Sequence, residues 1–185
     1  MRRDAARLYA AGRYGASMSV DERGLEFAKD GVFSCELDAA DYDDAPHLVA
    51  YTREVMLTAP GIITGVSRVA YGTKLAVALR GAAYPKHVDN ACEVGANGAP
   101  ADRRWITLIY YLNPEWKPGD GGELRLWRAD GTTLDVEPRG NTLVAFKSDV
   151  LLHAVLPSRS DERYALTIWL VNDGEAASHA ALCAS

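Results

Sequence analysis

The sequence predicts a mainly β chain with flanking helices, in the form of a β-sandwich or barrel. From Lys74 onward, short segments rich in β-branched and aromatic residues follow one another at regular spacing. Turn residues such as Asp130-Gly131 separate these segments. Before Lys74 the pattern differs, because apolar residues there recur at helical spacing or are interrupted by glycines. Short strands with turn signals between them are typical of sandwiches and barrels.

Helices are predicted in the first part of the chain. Residues 3–11 are rich in alanine, a strong helix former. Residues 46–57 place apolar side chains at helical spacing, with Pro46 in the first turn and Pro60-Gly61 as the end of the helix. Residues 12–44, which contain several glycines and interleaved charges, are expected to form a mobile loop or ribbon.

Strands are predicted in the second part, at residues 75–79, 105–112, 123–127, 132–136, 142–146, 153–156 and 163–171. Alternate side chains of the last strand form two faces: Arg163, Ala165, Thr167 and Trp169 share one, and Tyr164, Leu166, Ile168 and Leu170 share the other. Both faces contain apolar residues, so both are expected to be covered. An arginine there needs an anionic partner, because unpaired burial of its charge is costly. The turn at residues 158–162 predicts a hairpin between the last two strands.

His87 and Asp89 are the central candidate site residues. On an extended strand, side chains at i and i+2 point to the same face, so this imidazole and this carboxylate can bind one divalent ion. Two histidines and one carboxylate with open coordination positions are typical of non-haem Fe(II). The third ligand must come from a distant strand, and His153 is the best candidate. Taken alone, however, His-x-Asp is weak, and a lone histidine in an apolar run is more often a hydrogen-bonded core residue.

Arg163 adds a second feature to this set. It follows His153 by ten residues, and an arginine on the neighbouring strand could bind the far carboxylate of a dicarboxylate whose other end chelates the metal. Because Arg163 also follows a charged turn, a surface position is an equally good explanation for it alone. The joint arrangement with His87, Asp89 and His153 favours a single site.

Composition excludes some classes of function. The chain has 185 residues, enough for one domain with a proper core, and a net charge of −5 without a basic run, which argues against a nucleic-acid partner. No apolar run approaches the roughly 20 residues of a membrane helix, and the start does not resemble a secretory signal. The 3 cysteines are isolated, which favours a reducing compartment, a free thiol at Cys92 and no zinc site. A cytoplasmic or nuclear location is expected.

Several segments resemble a known family. Residues 84–90 (Tyr-Pro-Lys-His-Val-Asp-Asn), 105–113, 121–127 and 163–169 look like the 2-oxoglutarate-dependent prolyl hydroxylases, in the branch of the hypoxia-inducible-factor prolyl hydroxylases and their bacterial relatives. The family fold is a double-stranded β-helix, a cupin-like jelly roll. The resemblance implies a domain over residues 1–173, with helices and a substrate loop in 1–73 and the β-helix in 74–173. Residues 174–185 are expected to be a disordered tail.

The resemblance also implies a ligand set. Fe(II) would be bound by His87, Asp89 and His153, and 2-oxoglutarate by Arg163 with help from Tyr111 and Thr167. The pocket would be lined by Ile109, Leu124 and Val155, with Trp169 near the substrate approach. O2 would be the oxidant and ascorbate a further cofactor. The chain departs from the family where a tyrosine is usual before His-x-Asp, and residues 12–31 match the family's substrate loop poorly.

Three functions are compatible with this pattern. The first is C4 hydroxylation of a prolyl residue in a protein substrate, with release of succinate and CO2. The second is the same iron chemistry on a free amino acid or another side chain. The third is a non-catalytic binding module, which the intact ligand set argues against. No nucleic acid or membrane partner is expected, and the sequence does not predict an oligomeric state.

Overall fold

Two antiparallel β-sheets form the framework of the chain. The computed structural model describes residues 1–20, 25–92 and 102–172. In chain order the elements are α1 (Arg2–Ala10), β1 (Gly15–Val20), β2 (Glu26–Cys35), a 3-10 helix (Ala39–Tyr42), α2 (Pro46–Ile62), β3 (Val66–Leu79), β4 (Tyr84–His87), β5 (Arg104–Tyr111), β6 (Leu124–Trp127), β7 (Thr133–Val136), β8 (Leu143–Lys147), β9 (His153–Val155) and β10 (Glu162–Asn172).

The two sheets differ in size and surroundings. The major sheet has the order β1-β2-β3-β10-β5-β8, and the minor sheet has the order β4-β9-β6-β7. Between them lies an apolar cluster of Tyr111, Leu124, Leu126, Phe146 and Ala165. A larger core lies on the other side of the major sheet, where α1 and α2 pack. The predicted mainly β jelly roll with flanking helices is confirmed.

Strand β10 is covered on both faces, as its alternating pattern predicts. Tyr164, Leu166, Ile168 and Leu170 belong to the core under the helices. The other face, with Arg163, Ala165, Thr167 and Trp169, lines a cavity between the sheets. Because β10 lies in the middle of the major sheet, neither of its faces is purely polar.

The predicted hairpin between the last two strands is wrong. β9 pairs with β4 and β6 in the minor sheet, whereas β10 pairs with β3 and β5 in the major sheet. The turn residues after β9 therefore carry the chain from one sheet to the other. Turn chemistry specifies a change of direction but not the partner strand, so the sequence alone did not distinguish the two outcomes.

Other boundaries also differ from the prediction. α2 continues through Pro60, because the Ile63 amide still donates to Ala59 and the proline removes only one helical hydrogen bond. Residues 12–44 contain an antiparallel ribbon of β1 and β2, and β2 pairs with β3, so the ribbon extends the major sheet. Of the two predicted alternatives, a mobile loop or a ribbon, the structure shows the ribbon. β3 begins at Val66, well before the predicted residue 75.

The cysteine prediction needs a correction. Cys92 is disulfide-bonded, so the expected free thiol there is wrong, whereas Cys35 is free. Among the described residues, no helix is both long and apolar enough to cross a membrane. The cytoplasmic or nuclear location stays a prediction, and the predicted tail at 174–185 lies outside the described residues.

Asp4 connects the two helices that cover the major sheet. Its buried carboxylate, in α1, accepts hydrogen bonds from the backbone amides of His47 at 2.9 Å and Leu48 at 3.3 Å. These amides belong to the first turn of α2, whose own N-cap residue Ala45 offers no side-chain hydrogen bond. Asp4 thus caps α2 from a neighbouring helix and satisfies amides that have no partner within the helix.

Replacing Asp4 with alanine is expected to lower the free energy of unfolding by about 1–2 kcal/mol at neutral pH, as measured by urea titration. Burial alone would raise the pKa of Asp4, but hydrogen bonds from His47 and Leu48 outweigh burial and hold it below the ordinary 3.8. A lowered folded pKa means that this stabilisation is present above 3.8 and is lost as the pH falls through the folded value. Asp43→Ala, at an exposed carboxylate nearby, serves as the control; an equal loss in both variants would argue against the cap.

Candidate metal centre

One cavity of about 510 Å³ opens between the two sheets. It receives side chains from both sheets and from the β1–β2 ribbon. Every site residue predicted from the sequence lines this cavity: His87, Asp89, Ile109, Tyr111, Leu124, His153, Val155, Arg163 and Thr167. The structure therefore brings together residues from separated segments of the chain, while their roles stay predictions.

Two imidazoles and one carboxylate form a compact cluster at one end of the cavity. His87 on β4 and His153 on β9 are directly opposite in the strand register, and their ring centroids are 4.2 Å apart. Asp89 Oδ1 lies 3.5 Å from His87 Nε2 and 3.8 Å from His153 Nε2. One potential ligand atom from each residue lies within 4.8 Å of the others, so the three could hold one metal ion.

Backbone hydrogen bonds orient both imidazoles. His87 Nδ1 lies 2.8 Å from the carbonyl oxygen of Pro85, and His153 Nδ1 lies 2.9 Å from that of Leu151. A carbonyl oxygen only accepts, so each Nδ1 carries a proton, and in the neutral imidazole Nε2 then has the lone pair available on the side of Asp89. Burial lowers the pKa of His153, which favours the neutral form that metals bind. This arrangement is the usual one around metal-binding histidines.

The second oxygen of Asp89 is held by the major sheet. Thr107 Oγ1 donates to Oδ2 at 2.6 Å, and Trp169 Nε1 donates to the same atom at 3.2 Å. Because the single Thr107 proton is used, the neighbouring Ser148 hydroxyl, 2.8 Å away, donates to Thr107. Burial raises the pKa of Asp89, but the adjacent His87 and the hydrogen bonds from Thr107 and Trp169 outweigh burial, so the pKa lies well below its ordinary range. Asp89 is therefore a carboxylate with Oδ1 turned toward the imidazoles.

Replacing Thr107 with valine is expected to weaken metal binding by about tenfold, because Asp89 loses its shortest supporting hydrogen bond. The measurement is a calorimetric titration of the apoprotein with Co(II) as a stand-in for Fe(II). Thr52→Val is a matched control, since the Thr52 hydroxyl is also buried, lies on α2 and has no hydrogen-bond partner within the described residues. Equal Co(II) affinity in the Thr107 variant and the parent would exclude the supporting role.

Arg163 stands along the same cavity, away from the cluster. Its side chain is buried, and its Nε atom has no hydrogen-bond partner in the described part of the chain. The guanidinium carbon lies 5.0 Å from the ring centroid of Tyr111, whose buried hydroxyl likewise has no hydrogen-bond partner among the described residues. Burial lowers the pKa of Arg163, although arginine stays charged at any ordinary pH. A buried cation and a buried hydroxyl facing one cavity form a site for an anion.

Gly122 makes room for this guanidinium. Its φ is +76°, and a Cβ atom there would lie 2.6 Å from Arg163 Cδ and 2.9 Å from Nε. Any side chain at residue 122 would thus displace Arg163, which gives Gly122 a packing role that the sequence pattern alone did not indicate.

Sequence reasoning missed several charged residues of the cavity. Lys29, Lys74 and Arg104 line it together with Tyr84. Arg104 is paired with Asp102, its Nε donating at 2.7 Å. Lys74 could have been found by counting alternate residues along β3, because it shares a face with Ala76 and Ala78. Lys29 comes from the ribbon, which shows no local pattern that points to a site.

Comparison with known families decides the classification. The model of the 2OG-Fe(II) oxygenase superfamily matches residues 73–171, more than half of the chain, from the second half of β3 to the penultimate residue of β10. The chain belongs to the 2OG-Fe(II) oxygenase superfamily. For this superfamily the expected ligands are Fe(II), 2-oxoglutarate and O2, and two imidazoles with one carboxylate fit that metal.

Individual relatives within the superfamily are also similar. A Caenorhabditis elegans protein named hypoxia-inducible factor prolyl hydroxylase is 41% identical over 98 residues, which cover 51% of this chain and 12% of that protein. Human Egl nine homolog 1 is 38% identical over 100 residues, covering 52% of this chain and 21% of that protein. The chain thus spans well under half of these curated relatives. The crystal structure of a Pseudomonas putida prolyl-4-hydroxylase has a TM-score of 0.71 and 30% identity, and the match covers 92% of this chain and 85% of that one.

Proposed function

We propose that this chain is a 2-oxoglutarate- and O2-dependent hydroxylase of a prolyl residue in a protein or peptide. It would place the hydroxyl on C4 of the proline and release succinate and CO2. Support comes from the prolyl hydroxylases among its relatives and from the residues around its cavity. The prolyl substrate is proposed from these relatives, whereas the iron and 2-oxoglutarate chemistry also rests on the residues of the site.

The observation that carries the proposal is the buried Arg163, whose Nε has no hydrogen-bond partner among the described residues, in one cavity with the His87, Asp89 and His153 cluster. A buried guanidinium without an anion is costly, and a dicarboxylate with one end on the metal and the other at Arg163 would remove that cost. Tyr111 and Thr167 would complete the hydrogen bonds to the far carboxylate. Ile109, Leu124 and Val155 would contact the methylene carbons of the co-substrate and exclude water.

Each residue of the cluster has a defined task in this reaction. Fe(II), when bound, supplies with O2 and 2-oxoglutarate the oxidising power that converts a C–H bond into a C–OH bond. His87 and His153 would bind the ion through Nε2 and Asp89 through Oδ1, a ligand set that leaves coordination positions open for other ligands. Thr107 and Trp169 hold the carboxylate in place. The apolar walls keep water from the reacting centre.

The test is turnover with peptides. Purified protein, Fe(II) and 2-oxoglutarate are incubated with a proline-containing peptide and with the same peptide in which alanine replaces the proline. Succinate formation and incorporation of isotopically labelled O2 are expected only with the proline peptide. Turnover with free proline but not with the peptide would favour the free-amino-acid alternative, and no turnover with any peptide or amino acid would favour a non-catalytic module. Ascorbate is proposed as an auxiliary reductant; an unchanged number of turnovers in its absence would exclude that role.

A further inference from the structure

Two lysines in the cavity have no anionic partner among the residues that the structure describes. Lys29, on the ribbon, and Lys74, on β3, both line the cavity and are partly buried. Within the described ranges, neither ammonium forms a salt bridge or a side-chain hydrogen bond. Lys29 Nζ instead lies 3.4 Å from the ring centroid of Tyr84, which packs edge-on against His87. Two like charges at one cavity wall, without counter-ions, are unfavourable unless a ligand completes them.

The pKa values of both lysines are lowered in this environment. Burial lowers the pKa of Lys29 to about 8, and the nearby Asp89 only partly opposes that effect. Burial also lowers the pKa of Lys74, and repulsion from Lys29 lowers it further. The other cation on this side, Arg104, is already paired with Asp102. The two lysines therefore form a separate positive patch, which we name the lysine pair (Lys29 and Lys74).

The co-substrate does not account for this patch. The charges of Fe(II), Asp89, Arg163 and a 2-oxoglutarate dianion cancel one another, so both lysine charges remain. Along β3, Ala78 lies beside Arg163, whereas Lys74 lies beside Thr167. Four residues of strand separate these positions by roughly 13 Å. Lys29 lies over Tyr84, which packs against His87, so the lysine pair lies toward the metal end of the cavity and the ribbon, farther along the strand than Arg163.

We propose that the lysine pair binds a carboxylate of the substrate, next to the prolyl ring that reacts. The proposal deepens the function proposed above and rests on it. The carboxylate could come from an aspartate or glutamate beside the target proline or from the C-terminus of the substrate, since both present the same group. Two ammoniums at a partly desolvated wall would select an acidic substrate over its neutral amide analogue.

The experiment measures peptide binding without catalysis. Protein loaded with Mn(II) and 2-oxoglutarate under argon is titrated calorimetrically with proline peptides that carry glutamate or glutamine beside the proline, each with a free or amidated C-terminus. The parent protein is expected to bind one carboxylate form about tenfold more tightly than the matched amide. A preference for glutamate over glutamine would identify a side-chain carboxylate, and a preference for the free over the amidated C-terminus would identify the terminal carboxylate. The preference is expected to weaken at higher salt.

Variants assign the effect to the lysines. The double variant Lys29→Met/Lys74→Met is expected to lose the tenfold preference while keeping its affinity for 2-oxoglutarate. Lys117→Met, at an exposed lysine outside the cavity, is the control and should keep the preference. An undiminished preference in the double variant would overturn the proposal, as would a parallel loss of 2-oxoglutarate affinity, which would assign the lysines to the co-substrate.

The two proposals fail in different ways. Equal binding and hydroxylation of acidic and neutral peptides by the parent protein would overturn the carboxylate site and leave prolyl hydroxylation intact. Lysine-dependent binding of acidic peptides without any hydroxylation under Fe(II) and O2 would support the carboxylate site and overturn the proposed reaction.

Discussion

His153→Ala is expected to abolish turnover and to remove specific binding of one divalent ion per chain. His153 is buried, and its Nε2 atom faces Asp89 and His87, so no other described side chain can take its place in the cluster. Loss of a supporting residue around a metal ligand typically costs up to about 100-fold, and loss of the ligand itself should exceed that value. Calorimetric titration with Co(II) and a succinate assay measure the two effects.

His47→Ala is the matched control. His47 lies in α2, contacts Asp4 and does not line the cavity. Its variant should keep both metal binding and turnover, with at most a small loss of stability. Retained stoichiometric metal binding in the His153 variant would refute the ligand assignment. A far-ultraviolet circular dichroism spectrum like that of the parent keeps a failure to fold from being mistaken for loss of a ligand.

Arg163→Met should raise the 2-oxoglutarate concentration needed for half-maximal turnover by about 100-fold. Removing one partner of a buried, hydrogen-bonded charge pair costs about 2–5 kcal/mol, which corresponds to this range. The same change should not lower the thermal stability of the apoprotein, because it removes a buried charge whose Nε has no hydrogen-bond partner among the described residues and keeps a side chain of similar length. Weaker binding with undiminished stability is a combination that a purely structural arginine would not give.

Arg80→Met provides the comparison for Arg163. Arg80 is exposed and pairs with Asp161, with Nη2 to Oδ1 at 2.8 Å. Its loss should leave the 2-oxoglutarate requirement unchanged. An unchanged requirement in Arg163→Met would remove the anchor role, and a strongly destabilised apoprotein would show that Arg163 has a structural partner instead.

The site was predictable where its signals are local. His87 and Asp89 are two residues apart, so strand periodicity alone places them on one face. The chain has only 4 histidines, which left few candidates for a distant ligand. Arg163 was recognisable because it starts a strand with two apolar faces, where a charge requires an explanation.

Features that depend on strand pairing were not predictable. Thr107 and Trp169 reach Asp89 because they are opposite each other in the register of β5 and β10, which no local pattern specifies. Lys29 approaches Tyr84 only because the ribbon adds to β3 and extends over the cavity. The incorrect hairpin has the same origin, since β9 and β10 are adjacent in sequence and belong to different sheets.

The three candidate ligands do not belong to one sheet. The imidazoles lie on β4 and β9 of the minor sheet, whereas the Asp89 carboxylate is tied to β5 and β10 of the major sheet. A bound ion would therefore cross-link the two sheets and not simply sit in one of them. Chelation would weaken the connection between the sheets. Amide hydrogens of β4, a short strand at the edge of the minor sheet, would then exchange with deuterium long before those of β10, which is longer and has a hydrogen-bonded neighbour on each side.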